Sequence, residues 1–118
     1  MINVLYVDDE QINLDLFEIS FMRDFKVHKS ISGKKALEIL NNNEIDVVVS
    51  DLKMPEMDGI EFIRKVKSKD ESKNCILLTG YYEDNIINNT ELRSLIYKYI
   101  MKPYNFDDLK NCIIDAGK

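Results

Sequence analysis

A chain of 118 residues with a formal charge of −5 has room for one domain, 1–118, that buries roughly two thirds of its unfolded surface around one core. Hydrophobic residues at 45% and charged residues at 31% exclude a disordered polymer, and scattered lysines under an acidic balance exclude a basic stripe for nucleic acid. No apolar run is long enough to span a bilayer and the first residues lack a basic segment with a cleavage site, so a soluble cytoplasmic protein without membrane contact is expected.

Short apolar runs alternate with amphipathic stretches along the whole chain. Ile2 to Val7 reads as a buried strand, and Gln11 to Arg23 as a helix with Ile12, Leu16, Ile19 and Phe21 or Met22 at helical spacing. Lys26 to Ile31 is a second, weaker strand. The helix that follows starts at Ser32, a residue suited to cap it, and carries Ala36, Leu37 and Leu40 on one face. Ile45 to Ser50, with three consecutive valines, suits a central parallel strand covered on both faces.

The loop DLKMPEMDG comes next, with Asp58 placed to cap a helix through Phe62, Ile63 and Val66. Asn74 to Thr79 is a fourth strand, broken by Gly80. Asp84 to Leu92 predicts a helix from poor helix formers, Ile96 to Met101 a fifth strand, and Phe106 to Ala116 a last helix. Five β-α units in strict alternation imply an α/β fold, a doubly wound parallel sheet with helices on both faces and right-handed crossovers. Cys75 and Cys112, without CxxC spacing, read as buried thiols in a reducing compartment, and His28, the one histidine, as structural.

Ligands of open parallel sheets bind beyond the carboxyl ends of the strands. Here those ends carry Asp8, Asp9 and Glu10, then Asp51, Thr79 and Lys102. If strands one and three are neighbours, their acids converge, and each pair of carboxylates at 4 Å repels by about 4 kcal/mol at an effective dielectric near 20. A cation must offset that charge. Hard oxygen ligands at this density suit Mg²⁺, and Lys102 can supply further positive charge beside a bound anion.

These residues, in this order, resemble the receiver domains of bacterial two-component response regulators. The matching pieces are Asp8-Asp9 ending strand one, DLKMPEMDG with Asp51 at its start, Thr79-Gly80 ending strand four, and Tyr99 to Pro103 with Lys102 before the proline. The resemblance implies a flavodoxin-like five-stranded sheet of order 2-1-3-4-5, like that of the chemotaxis receiver. It implies that Asp51 is the nucleophile and phosphoacceptor toward phosphohistidine of a sensor histidine kinase or phosphotransfer protein. Asp9 and Asp51 would bind Mg²⁺ directly, Asp8 largely through water, and the Lys53 carbonyl would complete the metal site. Lys102 would pair with Asp51 and then with a phosphoryl oxygen, Thr79 would reach a second oxygen, and the bond before Pro103 would be cis.

The resemblance also assigns Thr79 and Tyr99 a switch role, and makes the face of helix 4, strand 5 and helix 5 the surface for an output domain or a homodimer. Helix four, reading EDNIINNTELRS, departs from the family's alanine-rich pattern, and its glycine before strand five is missing. Lys53 and Tyr81, two residues beyond Asp51 and Thr79, either overhang the phosphoryl group, shielding it from water and lengthening its life, or point to solvent without effect. Such a domain catalyses its own phosphorylation and dephosphorylation only. Two rivals are a receiver-like module that binds partners without phosphorylation and a Mg²⁺-dependent aspartyl-phosphate phosphatase. The first usually lacks an acid, the Thr or the Lys; the second places its nucleophile in a DxD ending strand one, where this chain has DDE.

Overall fold

The computed structural model describes residues 1–80 and 90–118. In chain order these form β1 (Asn3–Val7), α1 (Gln11–Phe21), β2 (Lys26–Ser30), α2 (Gly33–Asn42), β3 (Val47–Asp51) and α3 (Gly59–Lys69). Then come β4 (Asn74–Thr79), α4 (Thr90–Leu95), β5 (Lys98–Met101) and α5 (Phe106–Ala116). The strands are parallel throughout and lie in the order β2-β1-β3-β4-β5. This is the flavodoxin-like doubly wound sheet expected from the sequence. Its order reverses beside β1, with β2 on one side and β3 on the other, and the crevice outside the strand ends at that reversal is where such sheets bind ligands.

The side-chain period of two sorts each strand between two cores. Val4, Tyr6, Val47, Val49, Ile76 and Leu78 face one side, closed by Leu14, Phe17 and Phe21 of α1 and by Leu109, Ile113 and Ala116 of α5. Leu5, Val7, Val48, Cys75 and Leu77 face the other, closed by Ala36 of α2 and by Phe62, Ile63 and Val66 of α3. Partly buried Leu92 and Leu95 of α4 pack against this second core. An ion pair between Arg64 and Glu91 also ties α3 to α4.

Several helices start where the sequence predicts. Ser32 accepts a hydrogen bond from the Lys35 amide and Asp58 one from the Glu61 amide, each filling a backbone donor that the first helical turn leaves open. For α1 the expectation needs correcting on one point. The helix forms, but Ile12, Leu16 and Ile19 are 65%, 56% and 66% exposed; of the expected stripe Phe21 is buried, and the core takes Leu14 and Phe17 beside it. The predicted helix over Asp84 to Leu92 is described only from Thr90 onward; residues 84–89 lie outside the described residues.

Candidate functional site

Three strand ends build the site. β1 stops at Val7, so Asp8 follows on the face of Tyr6, and Asp9 on the other. β3 pairs with β1 over Val7 and Ser50, which brings Asp51 beside Asp8. One carboxylate oxygen each from Asp8, Asp9 and Asp51 lies within 4.8 Å of the others. Asp8 is fully buried, Asp51 half-buried and Asp9 exposed, so the cluster opens to solvent on the Asp9 side.

The fourth charge comes from β5. The Lys102 amide donates to the Thr79 carbonyl at 2.8 Å, extending the β4–β5 ladder to the sheet edge. From there Lys102 Nζ reaches Asp51 Oδ1 at 3.4 Å and Asp8 Oδ2 at 3.6 Å. The Lys102–Pro103 peptide bond is cis. Burial pushes the Asp51 carboxyl above the usual carboxylate range; the Lys102 ammonium pulls it down, the Asp8 charge lifts it, and the Leu52 amide, donating to Oδ1 at 3.0 Å, lowers it.

The resting carboxylate of Asp8 is held by protein donors on both oxygens. Oδ1 accepts the Glu10 amide at 2.9 Å, and Oδ2 accepts the Tyr6 hydroxyl at 2.7 Å and Asn13 Nδ2 at 3.1 Å. Glu10 occupies the N-cap position of α1 without a side-chain capping bond, so Asp8 fills that helix end from two residues upstream. Tyr6 and Asn13 are site residues that the sequence reading missed. A signal for Tyr6 was present, since a residue two before Asp8 on one strand shares its face and a phenol is long enough to reach it.

Thr79 is buried at the end of β4, paired in register with Met101. Tyr99 is half-buried, paired with Leu77, and therefore lies diagonally from Thr79 on the same face of the sheet. Lys53 is exposed in the loop after Asp51. Tyr81, the other position proposed to govern the phosphoryl lifetime, lies outside the described residues. Gly59 was read only as a loop marker, yet a Cβ built there would come 2.3 Å from the Asp51 carbonyl oxygen. Its amide donates to the Leu52 carbonyl at 2.8 Å, so the start of α3 is pressed against the backbone that carries Asp51.

Oxygen donors of hard character, clustered at one open edge beside the Lys102 ammonium, fit a small divalent cation such as Mg²⁺. Sulfur and imidazole ligands are absent from this cluster among the described residues, which disfavours softer metals. The two cysteines and the histidine stand apart, Cys75 buried as expected and Cys112 only half-buried. Burial pushes the Cys75 thiol up to about 12, which leaves it inert, and His28 sits 3.4 Å from Asn3 Oδ1 on the edge strand β2.

Comparison with known proteins gives a consistent family. The family model described as response regulator receiver domain matches residues 4–114. Sporulation initiation phosphotransferase F of Bacillus subtilis is 32% identical over 93% of this chain and 89% of its own length. The regulatory protein AtoC of Escherichia coli is 33% identical over 97% of this chain, which spans only 24% of that protein. Among solved structures, a receiver domain from Clostridium thermocellum superposes with a TM-score of 0.89 at 29% identity, covering 98% of this chain and 94% of that one. The response regulator TrrA of Thermotoga maritima, solved in complex with Mg²⁺ and BeF, gives 0.87 at 26% identity, over 98% of this chain and 99% of that one.

Proposed function

The chain belongs to the response regulator receiver domain family, and on that premise we propose that it accepts a phosphoryl group on Asp51 from a phosphohistidine, with Mg²⁺ as cofactor. The carrying observation is the position of the Asp51 carboxylate, half-buried between two further acids and 3.4 Å from the Lys102 ammonium. In that setting a carboxylate is held in place and partly desolvated while cations offset its charge, which is what phosphoryl transfer asks of a protein.

The step is a displacement at phosphorus. An Asp51 oxygen forms the new bond to phosphorus, the bond from phosphorus to the imidazole nitrogen breaks, and that nitrogen leaves with the electron pair and is then protonated. Asp9, Asp51 and the Lys53 carbonyl are the proposed direct ligands of Mg²⁺, with Asp8 acting through water. The ion supplies positive charge where three acids and three phosphoryl oxygens meet. Lys102 shifts from the resting acids to a phosphoryl oxygen, and the Thr79 hydroxyl takes another.

Thr79 and Tyr99, diagonal on one sheet face, are the proposed switch. Movement of Thr79 toward the phosphoryl group opens room for Tyr99, and the population of an active surface around α4, β5 and α5 rises. The proposed donor is a sensor histidine kinase or phosphotransfer protein, and the reader an output domain or a second receiver. The test is incubation with Mg²⁺ and acetyl phosphate followed by intact-mass measurement. One phosphoryl mass should appear in wild type and not in Asp51→Asn. Wild type that gains no mass under any donor would make the domain a phosphorylation-independent binding module. Lys53→Asn, compared with wild type for loss of the label, tests the shielding role of that lysine.

A further inference from the structure

The donors on Asp8 set it apart from its neighbours. Asp9 is exposed, and Asp51 accepts one backbone amide and faces Lys102. Asp8, with no solvent contact, has Oδ1 bonded to the Glu10 amide, and Oδ2 shared by the Tyr6 hydroxyl, Asn13 Nδ2 and the Lys102 ammonium. An ionised carboxylate oxygen offers about two lone-pair sites. Oδ2 is therefore saturated before any ion arrives.

The two side-chain donors are themselves fixed. The Tyr6 ring is buried and stacks on Phe17 of α1 at a centroid distance of 4.2 Å and an angle of 14°. Asn13 lies in the first turn of the same helix. Neither can follow the carboxylate if it rotates toward a metal, so a direct bond from Oδ2 to an ion forfeits at least one hydrogen bond to a charged group.

We propose that Tyr6 and Asn13 are positioning residues that reserve Asp8 for water-mediated contact with the ion and so favour Mg²⁺ over Ca²⁺. This rests on the reading of the acid cluster as a divalent-metal site. Mg²⁺ keeps several of its waters and tolerates a carboxylate reached through one of them, whereas Ca²⁺ takes six to eight oxygens and gains from each one directly bound. Donors that occupy Oδ2 of Asp8 therefore penalise direct binding through that oxygen, and penalise the larger ion more. A hydrogen bond to a charged group is worth about tenfold or more in an equilibrium, which sets the scale of the effect.

The test is calorimetric titration of the metal-free chain with MgCl₂ and, separately, CaCl₂. Tyr6→Phe keeps the ring and its stacking partner, and Asn13→Ala keeps a strong helix former at a half-buried position. In each variant Ca²⁺ affinity should rise by about tenfold and Mg²⁺ affinity by about threefold or less, narrowing the preference for Mg²⁺. Repeating Tyr6→Phe in an Asp8→Asn background should give no change for either ion. Unchanged or weaker Ca²⁺ binding in both single variants, or the same gain without the Asp8 carboxylate, overturns the assignment. Wild type that binds neither ion overturns the metal site and this inference with it, whereas wild type that binds Mg²⁺ beside unresponsive variants sinks the inference alone.

Discussion

Asp51 opposes the fold that holds it. Burial raises its acid equilibrium above the usual carboxylate range, so the native state holds this proton more tightly than the unfolded chain does. Its contribution to stability is then present below the ordinary carboxylate value and is lost as pH rises through the raised one. At neutral pH, without metal, Asp51→Asn should raise the Tm of the chain. The gain should vanish at pH 3, where wild-type Asp51 is already neutral. Scanning calorimetry at the two pH values checks this, and an equal or lower Tm for the variant at pH 7 contradicts it. Gly59 works in the opposite sense, because its missing side chain lets α3 close on the Asp51 backbone. A methyl group 2.3 Å from that carbonyl oxygen must displace one of the two elements. Gly59→Ala should cost about 1–3 kcal/mol in urea unfolding, and it should slow labelling by acetyl phosphate in the fraction that remains folded.

At the scale of elements, α1 is the instructive case because it is apolar on two opposite sides. Leu14, Phe17 and Phe21 are buried, while Ile12, Leu16 and Ile19 run along the far side at the same helical spacing. Periodicity finds the helix and cannot choose between its two stripes, since both satisfy it. What decides is ring packing: Tyr6, Phe17 and Phe21 form a row, and Phe106 from α5 stacks on Phe21 at 4.8 Å. Phe17→Ala should therefore cost about 3–5 kcal/mol, and Leu16→Ala no more than about 0.5 kcal/mol. Urea denaturation of the two variants measures the difference, and a large loss for Leu16→Ala would reverse the assignment of faces.

The same reasoning explains which parts of the site were legible. Asp8, Asp9, Asp51, Thr79 and Lys102 stand out because each is a polar residue at the end of an apolar strand, a break in pattern that sequence shows directly. Tyr6 and Asn13 do not break a pattern. A tyrosine inside a strand and an asparagine early in a helix are ordinary there, and their partner is fixed only by strand parity and by the placing of α1 over β1. Strand ends shifted by one or two residues, as at Lys98 rather than Ile96, because pairing with β4 starts only there.

Over the whole molecule, the sheet divides a reactive edge from two lateral ones. All five strands point their carboxyl ends toward the acid cluster, so chemistry gathers along one rim while helices cover the faces. That geometry gives ion binding a global effect. An ion that binds only the folded rim should stabilise the entire domain, by about 2.7 kcal/mol at one hundred times its Kd. Tm measured against MgCl₂ concentration should climb accordingly in wild type, and much less in Asp9→Asn. A flat curve in wild type would argue against a folded-state metal site.

The lateral edges carry a different consequence. β2 and β5 end the row of strands, and each opens with an exposed lysine, Lys26 and Lys98. An unpaired strand border is a template onto which another chain can hydrogen-bond, and a charged side chain there makes a second copy approach against like charge and lost hydration. On that argument Lys26 and Lys98 should disfavour edge-to-edge association. Replacing both with valine should leave monomer Tm nearly unchanged while light scattering at high concentration rises, so colloidal behaviour rather than stability would register their loss.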